Sequence, residues 1–318
     1  MPNPLVPSIS GNQISLSALL DNPARLNALI AMLAAEQLIV DAFFRPAGTN
    51  ITGGALLYDV LLNGGNFPTR DVGTRSPGSE YIITTGDITR DLATPQDWGA
   101  KVQILDEERQ RYDEVVIGNR LIQLANGIAR KIDQLAIAAV EAALTKYSIA
   151  GVIPGHNWDT LTTVGPLDAI TPSSQRPTAD IANAALLARV DDLGTRPPDT
   201  LVCHPHQHAA LQIGYGSELT LVLAAVGITD VRTSVQVTPG TAYVMPAGAA
   251  GVLGFERAPY GLAGLTGAAG VTGGGSGGLV TEIIPDREHR STWIQSFALP
   301  CFAIPVPGAI RTITGLAG

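Results

Sequence analysis

Residues 77–111 read PGSEYIITTGDITRDLATPQDWGAKVQILDEERQR, and this stretch decides the expected fold. Tyr81–Thr85 is a short run rich in β-branched side chains that predicts a strand, and Gly86-Asp87 after it is a turn signal. Trp98–Leu105 alternates approximately between apolar and polar side chains, which predicts a second strand. The two strands would form a long β-ribbon with the polar tip TRDLATPQD. Because such a ribbon is marginal in water by itself, it needs a surface to lie on.

The ribbon runs directly into a long amphipathic segment. Asp106 is followed by two glutamates, an acidic first turn that suits the positive end of a helix, and no proline occurs from there to Tyr147. Apolar side chains at steps of three and four form one stripe: Ile117, Leu121, Leu124, Ile128, Ile132, Leu135 and Ala139. The pattern predicts a helix over 107–146, roughly 60 Å long at ~1.5 Å per residue. Two shorter helices that meet near Tyr112 are the alternative.

The preceding segment divides into three parts. Residues 1–20 begin with three prolines, which predict an extended arm. Asp21 and Pro23 are helix-start signals, and mostly helical apolar spacing follows, so we expect a helix over 23–44. Residues 47–80 are rich in glycine, threonine and proline and predict a mostly irregular segment.

Beyond residue 150, short helical and strand patterns alternate. We expect helices at 178–190, 205–213 and 219–226, and strands at 200–203, 231–237, 242–245, 251–255, 279–285 and 291–304. This alternation indicates an α/β or α+β unit from about 160 to 265. A glycine-rich loop at 273–278 then leads back into sheet.

The proportion of charged residues is low for a soluble monomer. Charged residues make up 15% of the 318 residues, against a typical ~25%, and the net charge is −8. The negative balance disfavours a surface that coats nucleic acid, and the surplus apolar surface indicates contacts with other protein chains. No apolar stretch approaches the ~18 residues of a membrane-spanning helix. The first residues carry no secretory signal pattern, so we expect the chain to stay in the cytoplasm.

One cluster suggests a metal site. Cys203, His204, His206 and His208 lie within six residues, and zinc or another transition metal binds such side chains. The spacing matches no established ligand pattern, and Pro205 stiffens its middle, so we favour a strand end that runs into the first turn of a helix. The sequence contains no GxxxxGK[ST], GxSxG or HExxH motif. We therefore predict no catalytic, cofactor-binding or metal-binding residues, no cofactor and no enzymatic activity.

The order of these parts resembles a known family. An arm with a helix precedes GSEYIITTGDITRDLATPQDWGAKVQILDEERQRYD, the long helix follows, and WIQSFALPCFAIPVPGAI looks like a returning sheet strand. In this order and size the chain resembles the major capsid proteins of tailed bacteriophages with the HK97-like fold, an α+β fold. The resemblance implies five parts: an N-terminal arm with helix (1–65), an extended β-hairpin called the E-loop (66–105), the spine helix and the start of the P-domain sheet (106–160), an inserted A-domain (161–270) and P-domain return strands (271–318).

The resemblance also implies a function. The chain would be a structural subunit that self-assembles into hexamers and pentamers of an icosahedral capsid, in non-specific contact with packaged double-stranded DNA. Scaffold, portal and decoration proteins would be further partners, without a membrane partner, and the virion capsid would assemble in the host bacterial cytoplasm. Some family members join subunits covalently through a lysine at the E-loop tip. The tip here, Thr84–Asp97, has no lysine, and Lys101 lies on the return strand, so we expect no covalent cross-links.

Two alternatives stay open. A bacterial encapsulin nanocompartment shell has the same fold and encloses a protein cargo, although a long arm before the ribbon favours a phage capsid. A metal-dependent enzyme would use His204, His206 and His208. Within the capsid interpretation, Trp98 is the one bulky side chain at the return arm of the ribbon, and we expect it to pack against a neighbouring subunit.

Overall fold

The structure is a computed structural model that describes residues 9–10, 13–14, 39–48, 51–62, 65–68, 70–86, 89–110, 114–149, 152–166, 168–248, 251–256 and 279–317. In chain order its helices are α1 (Val40–Phe43), α2 (Asp106–Gln110), α3 (Glu114–Lys146), α4 (Pro177–Val190), α5 (Pro205–Tyr215) and α6 (Leu219–Ala225). Its strands are β1 (Ile9–Ser10), β2 (Gln13–Ile14), β3 (Phe44–Pro46), β4 (Leu56–Val60), β5 (Thr89–Ala93), β6 (Trp98–Leu105), β7 (Val152–Pro154), β8 (Thr200–Cys203), β9 (Asp230–Thr233), β10 (Thr241–Met245), β11 (Gly251–Phe255), β12 (Leu279–Asp286), β13 (Ser291–Ala298), β14 (Pro300–Ala303) and β15 (Arg311–Thr314).

The long helix α3 has 33 residues and supplies one wall of the larger hydrophobic core. Four side chains of the predicted apolar stripe are buried in that core: Leu121, Leu124, Ile128 and Ile132. The predicted helix over 107–146 is therefore confirmed over 107–110 and 114–146. Residues 111–113 lie outside the described residues, so the alternative of two helices that meet near Tyr112 stays open.

A three-stranded antiparallel sheet in the order β12-β13-β6 packs on α3. Its central strand β13 pairs with β6 from Ser291 opposite Leu105 to Ala298 opposite Trp98. The predicted pairing of Tyr81–Thr85 with β6 is wrong, because residues 81–85 form no strand. A strand needs a partner as well as β-branched side chains, and the partner of β6 is β13, far along the chain.

A β-ribbon is present, but it is formed by strands other than the predicted ones. Strand β4 lies in the segment predicted as mostly irregular, and it pairs with β5 in antiparallel register from Leu56 opposite Ala93 to Val60 opposite Thr89. β5 lies within the stretch predicted as the polar tip. The ribbon is therefore β4 with β5, and residues 61–88, which we call the connecting segment, join the two strands. Its described residues contain neither helix nor strand.

A five-stranded sheet in the order β7-β15-β10-β8-β9 separates two hydrophobic cores. Side chains alternate between its faces: Val202 and Tyr243 belong to the core of α3, whereas Leu201 and Val244 belong to a second core with α4, α5 and α6. Because both faces are covered, all four residues of β8 are buried. The predicted strand at 200–203 is confirmed, and the predicted strand at 231–237 ends at Thr233.

The last strand, β15, lies between β7 and β10 in this sheet. It pairs parallel with Val152–Pro154 and antiparallel with Thr241–Val244. A strand from the segment 271–318 therefore shares a sheet with strands from the segment 161–270. The division of the chain into domains at residues 160 and 270 stays a prediction.

A third sheet has the strand order β14-β11-β3 and thus includes the N-terminal strand Phe44–Pro46. Of the helix predicted over 23–44, the structure describes the turn Val40–Phe43, and Phe44 already begins a strand that pairs parallel with Gly251–Leu253. The rest of that predicted helix lies outside the described residues. Within the predicted arm, β1 and β2 form a short antiparallel pair.

Candidate functional site

The candidate metal ligands lie at the junction of β8 and α5, where His204 is the N-cap of the helix. Its Nδ1 accepts a hydrogen bond from the backbone N–H of His206 at 3.2 Å. Nδ1 of the exposed His206 lies 3.5 Å from Oδ1 of Asp159, and Nε2 of His208 lies 3.1 Å from the amide nitrogen of Gln212. The three imidazoles thus face three different partners. Among the described residues, no group of three His, Cys, Asp or Glu side chains could hold a metal ion.

The two cysteines are buried and not joined to one another. Burial raises the pKa of the Cys203 thiol to about 12 and that of the Cys301 thiol to about 11. A thiol that stays protonated is a poor nucleophile and a poor metal ligand. Both side chains therefore behave as small apolar groups of the interior.

The ribbon is held at its base by backbone hydrogen bonds to one segment. The N–H of Leu61, just after β4, donates to the carbonyl of Pro305 at 2.7 Å, and the N–H of Gln96, just after β5, donates to the carbonyl of Pro300 at 3.3 Å. Pro300 is the first residue of β14, and Pro305 lies two residues after the end of that strand. Both strands of the ribbon are therefore attached to the third sheet.

A second attachment joins the ribbon to the end of α3 through one carboxylate. Asp91 on β5 accepts hydrogen bonds from the Tyr147 hydroxyl at 2.6 Å, from Nζ of Lys146 at 2.6 Å and from the Tyr58 hydroxyl at 3.1 Å. The Asp91 side chain is only 17% exposed. We call these four residues the Asp91 cluster.

The electrostatics of the Asp91 cluster favour an ionised carboxylate. Burial acts to raise the pKa of Asp91, but hydrogen bonds from Lys146, Tyr147, the Leu92 backbone and Tyr58 outweigh it and hold that pKa well below its usual range. Burial, together with the nearby carboxylate, raises the pKa of Tyr58 and of Tyr147 to about 12. The carboxylate therefore stays charged, and both phenols keep their protons, across the whole neutral range.

The Asp91 cluster could not be predicted from the sequence. Asp91 lies in the stretch predicted as the polar ribbon tip, and no motif marks the residue. Tyr58 reaches it because the two are direct cross-strand partners in the ribbon, and Tyr147 reaches it from 56 residues further along the chain. Only the pairing of β4 with β5 could have revealed the site.

The ribbon and the connecting segment leave apolar side chains in water. Leu57 and Leu92 are a cross-strand pair on one face of the ribbon, 62% and 55% exposed. In the connecting segment Tyr81, Ile82 and Ile83 are 72%, 50% and 77% exposed. Large apolar side chains that are exposed in succession mark a surface that contacts another molecule.

Each of the three lysines of the chain lies over an aromatic ring. Lys131 Nζ is 4.0 Å from the ring centroid of Trp98, and Lys101 Nζ is 4.6 Å from that of Trp293. Lys146 Nζ is 5.4 Å from the Tyr147 ring as well as paired with Asp91. The connecting segment has no lysine at all.

Trp98 itself is half-buried. Its ring contacts Lys131 of α3, and its Nε1–H donates to Oε1 of Gln96 at 3.1 Å. Contacts within the same chain thus cover part of the Trp98 side chain. The expected contact with a neighbouring subunit stays a prediction.

No helix in the described part of the chain is long and apolar enough to cross a lipid bilayer.

A family model described as phage capsid protein matches residues 88–275, more than half of the chain. No curated protein sequence matches.

Solved structures with the same fold include capsids and a virus-like particle. The structure from Mycobacterium phage Adephagia has a TM-score of 0.60 at 11% identity, covering 87% of this chain and 90% of that one. The virus-like particle from Pyrococcus furiosus has a TM-score of 0.57 at 12% identity, covering 91% and 98%. The capsid of cyanophage P-SCSP1u has a TM-score of 0.55 at 12% identity, covering 89% of each chain. The expected HK97-like α+β capsid fold is confirmed, and with the family match over residues 88–275 the chain belongs to the phage capsid protein family.

Proposed function

We propose that copies of this capsid subunit assemble as hexamers and pentamers into a closed icosahedral shell around double-stranded DNA. The observation that carries the proposal is the apolar surface of the ribbon and the connecting segment, where Leu57, Leu92 and Tyr81–Ile83 face water in the single chain. In a shell, a neighbouring copy of the subunit would bury these exposed apolar side chains. Interfaces of this kind bury large apolar side chains at low charge density, which fits a chain with 15% charged residues.

The packaged DNA would be confined rather than tightly bound. A subunit with a net charge of −8 repels phosphates on average, so its contacts with DNA would be few and independent of sequence. We further propose that assembly takes place in the cytoplasm of the bacterial host and that scaffold, portal and decoration proteins take part. The chain's role would be structural, without catalysis.

Subunits of this shell would be held by non-covalent contacts. The three lysines lie on β6 and α3, each against an aromatic ring, and neither the ribbon strands nor the connecting segment carries one. A lysine on the ribbon or its connecting segment is the group that a covalent link of the family type would require. Association therefore depends on many modest contacts repeated around the shell.

Electron microscopy in negative stain tests the assembly directly. The purified protein should form closed particles of uniform diameter, and the exposed double substitution Ile82→Ser with Ile83→Ser should lower their yield without lowering the unfolding temperature of the subunit. A matched control is Val164→Ser, a substitution at an exposed apolar residue far along the chain from the ribbon. A protein that stays a monomer at all concentrations would contradict the proposal.

An encapsulin-type compartment is the second candidate, favoured by the fold shared with the Pyrococcus furiosus virus-like particle. The contents of particles purified from the native source distinguish the two. Double-stranded DNA inside the particles supports a phage capsid, whereas a stoichiometric protein cargo without DNA supports a compartment.

A further inference from the structure

The ribbon has almost no core of its own, so its direction must be set by a few contacts. Two strands of five residues form it, and Leu57 and Leu92 on one face are exposed. An isolated two-stranded sheet is marginal in water. The backbone bonds of Leu61 and Gln96 fix where the ribbon starts, and both of its strands contact β14.

The Asp91 cluster attaches the ribbon to a different element, the end of α3. Asp91 lies in the middle of β5, and its carboxylate reaches Lys146, the last residue of α3, and Tyr147, which follows it. A cross-strand bond from Tyr58 holds the carboxylate in place from the other strand. The ribbon is therefore held against β14 at its base and against the end of α3 at Asp91, and the second contact constrains its angle relative to α3.

The contacts of Asp91 are also stronger than ordinary surface contacts. Lys146 carries a full charge, and hydrogen bonds to an ionised carboxylate are shorter and stronger than those between neutral groups. A lysine at the C-terminal end of a helix is further stabilised there by the helix dipole. By contrast, the ion pair of Arg90 with Asp59 at 3.3 Å on the same ribbon has side chains 65% and 62% exposed and contributes little.

We infer that Asp91 is a positioning residue that sets the angle of the ribbon against α3 and thereby the curvature of the shell. The second part rests on the proposed function, in which the ribbon contacts a neighbouring copy. A change of the ribbon angle moves its exposed apolar pair relative to the body of the subunit. Neighbouring subunits would then meet at a different or a variable angle.

The test compares Asp91→Asn with the matched control Asp59→Asn, which removes a carboxylate from the same ribbon at an exposed site. Tyr147→Phe is the second test variant, because it deletes one donor to Asp91 and keeps the ring. The first measurement is amide hydrogen exchange in residues 56–60 and 89–93 of the unassembled subunit. We expect about tenfold faster exchange in Asp91→Asn and Tyr147→Phe than in Asp59→Asn, as for the loss of a charge-assisted hydrogen bond.

The second measurement is the distribution of particle diameters after assembly. Both test variants should give a broader distribution than Asp59→Asn at an unchanged unfolding temperature of the subunit core. Unchanged exchange overturns the positioning role, and faster exchange with an unchanged diameter distribution overturns the link to curvature. If the wild-type protein forms no particles, the proposed shell function fails, while the exchange measurement still decides the positioning role.

Discussion

Oδ1 of Asp133 accepts a hydrogen bond from the backbone N–H of Ile39 at 3.1 Å, across 94 residues of sequence. Asp133 lies on α3 and is 4% exposed, and Ile39 directly precedes the short helix α1. The carboxyl group thus accepts hydrogen bonds from backbone N–H groups at the start of α1, where the N-cap residue Ile39 makes no side-chain capping bond. One buried acid on the long helix thus anchors the start of α1.

This acid makes stability depend on pH near neutrality. Burial raises the pKa of Asp133 from 3.8 to about 7, the N–H groups of Ile39 and Val40 oppose the rise, and the negative charge of Asp41 adds to it. Because the folded state binds the proton more tightly than the unfolded chain, the free energy of unfolding falls as the pH rises from about 4 to about 7. We expect Asp133→Asn to abolish this slope, with a gain at pH 8 of up to ~4 kcal/mol at ~1.4 kcal/mol per pKa unit.

Urea unfolding between pH 4 and pH 8 measures the effect. An exposed acid serves as the control, and Glu80→Gln should leave the wild-type slope in place. Parallel pH profiles for the wild type and Asp133→Asn would show that this carboxyl group is not the source of the dependence.

Trp98→Ala should spare the fold and weaken assembly. The half-buried ring lies on an edge strand of its sheet, and only part of it is used by Lys131. Lys131→Met removes the cation but keeps the ring, so it separates the internal contact from a contact with a neighbour. Particle yield should fall in Trp98→Ala and not in Lys131→Met; an equal yield for the wild type and Trp98→Ala would argue against the contact.

Mature particles should dissociate completely in denaturant. The ribbon strands and the connecting segment have no lysine, and both cysteines are buried thiols. Boiled particles on a denaturing gel should therefore give one band at 33 kDa. A ladder at multiples of that mass would refute the non-covalent shell.

The histidines near residue 204 should act in folding and not in metal binding. His204→Ala removes the side chain that caps α5, and we expect a loss of about 1 kcal/mol in the free energy of unfolding. His206→Ala, at an exposed position, should leave stability unchanged. Stoichiometric zinc or iron that survives dialysis of the wild type, and that His206→Ala removes, would overturn this interpretation.

Local patterns predicted the elements well and their partners poorly. The run Thr200–Cys203 and the proline at residue 205 mark a strand and the helix start after it, and both lie where expected. The partner of β6 could not be predicted in the same way. Gln103 on that strand bonds to Ser291, 188 residues away, and no local signal encodes such a pairing.

The ribbon shows the same limit at the candidate site. Tyr81–Thr85 has the side chains of a strand but forms none, whereas Leu56–Val60 pairs with β5. The composition predicted a surface that needs other chains, and the exposed side chains of the ribbon agree with it. Asp91 could not be found, because its role depends on tertiary contacts of an unremarkable polar residue.

The place of β15 makes the five-stranded sheet depend on the four residues Arg311–Thr314. This strand joins β7 to β10, so a chain truncated before residue 310 would leave β7 without its neighbour in the sheet. Both hydrophobic cores would also lose a buried side chain, because Ile310 belongs to one core and Ile313 to the other. Such a truncated chain should therefore be unable to complete the fold of the subunit.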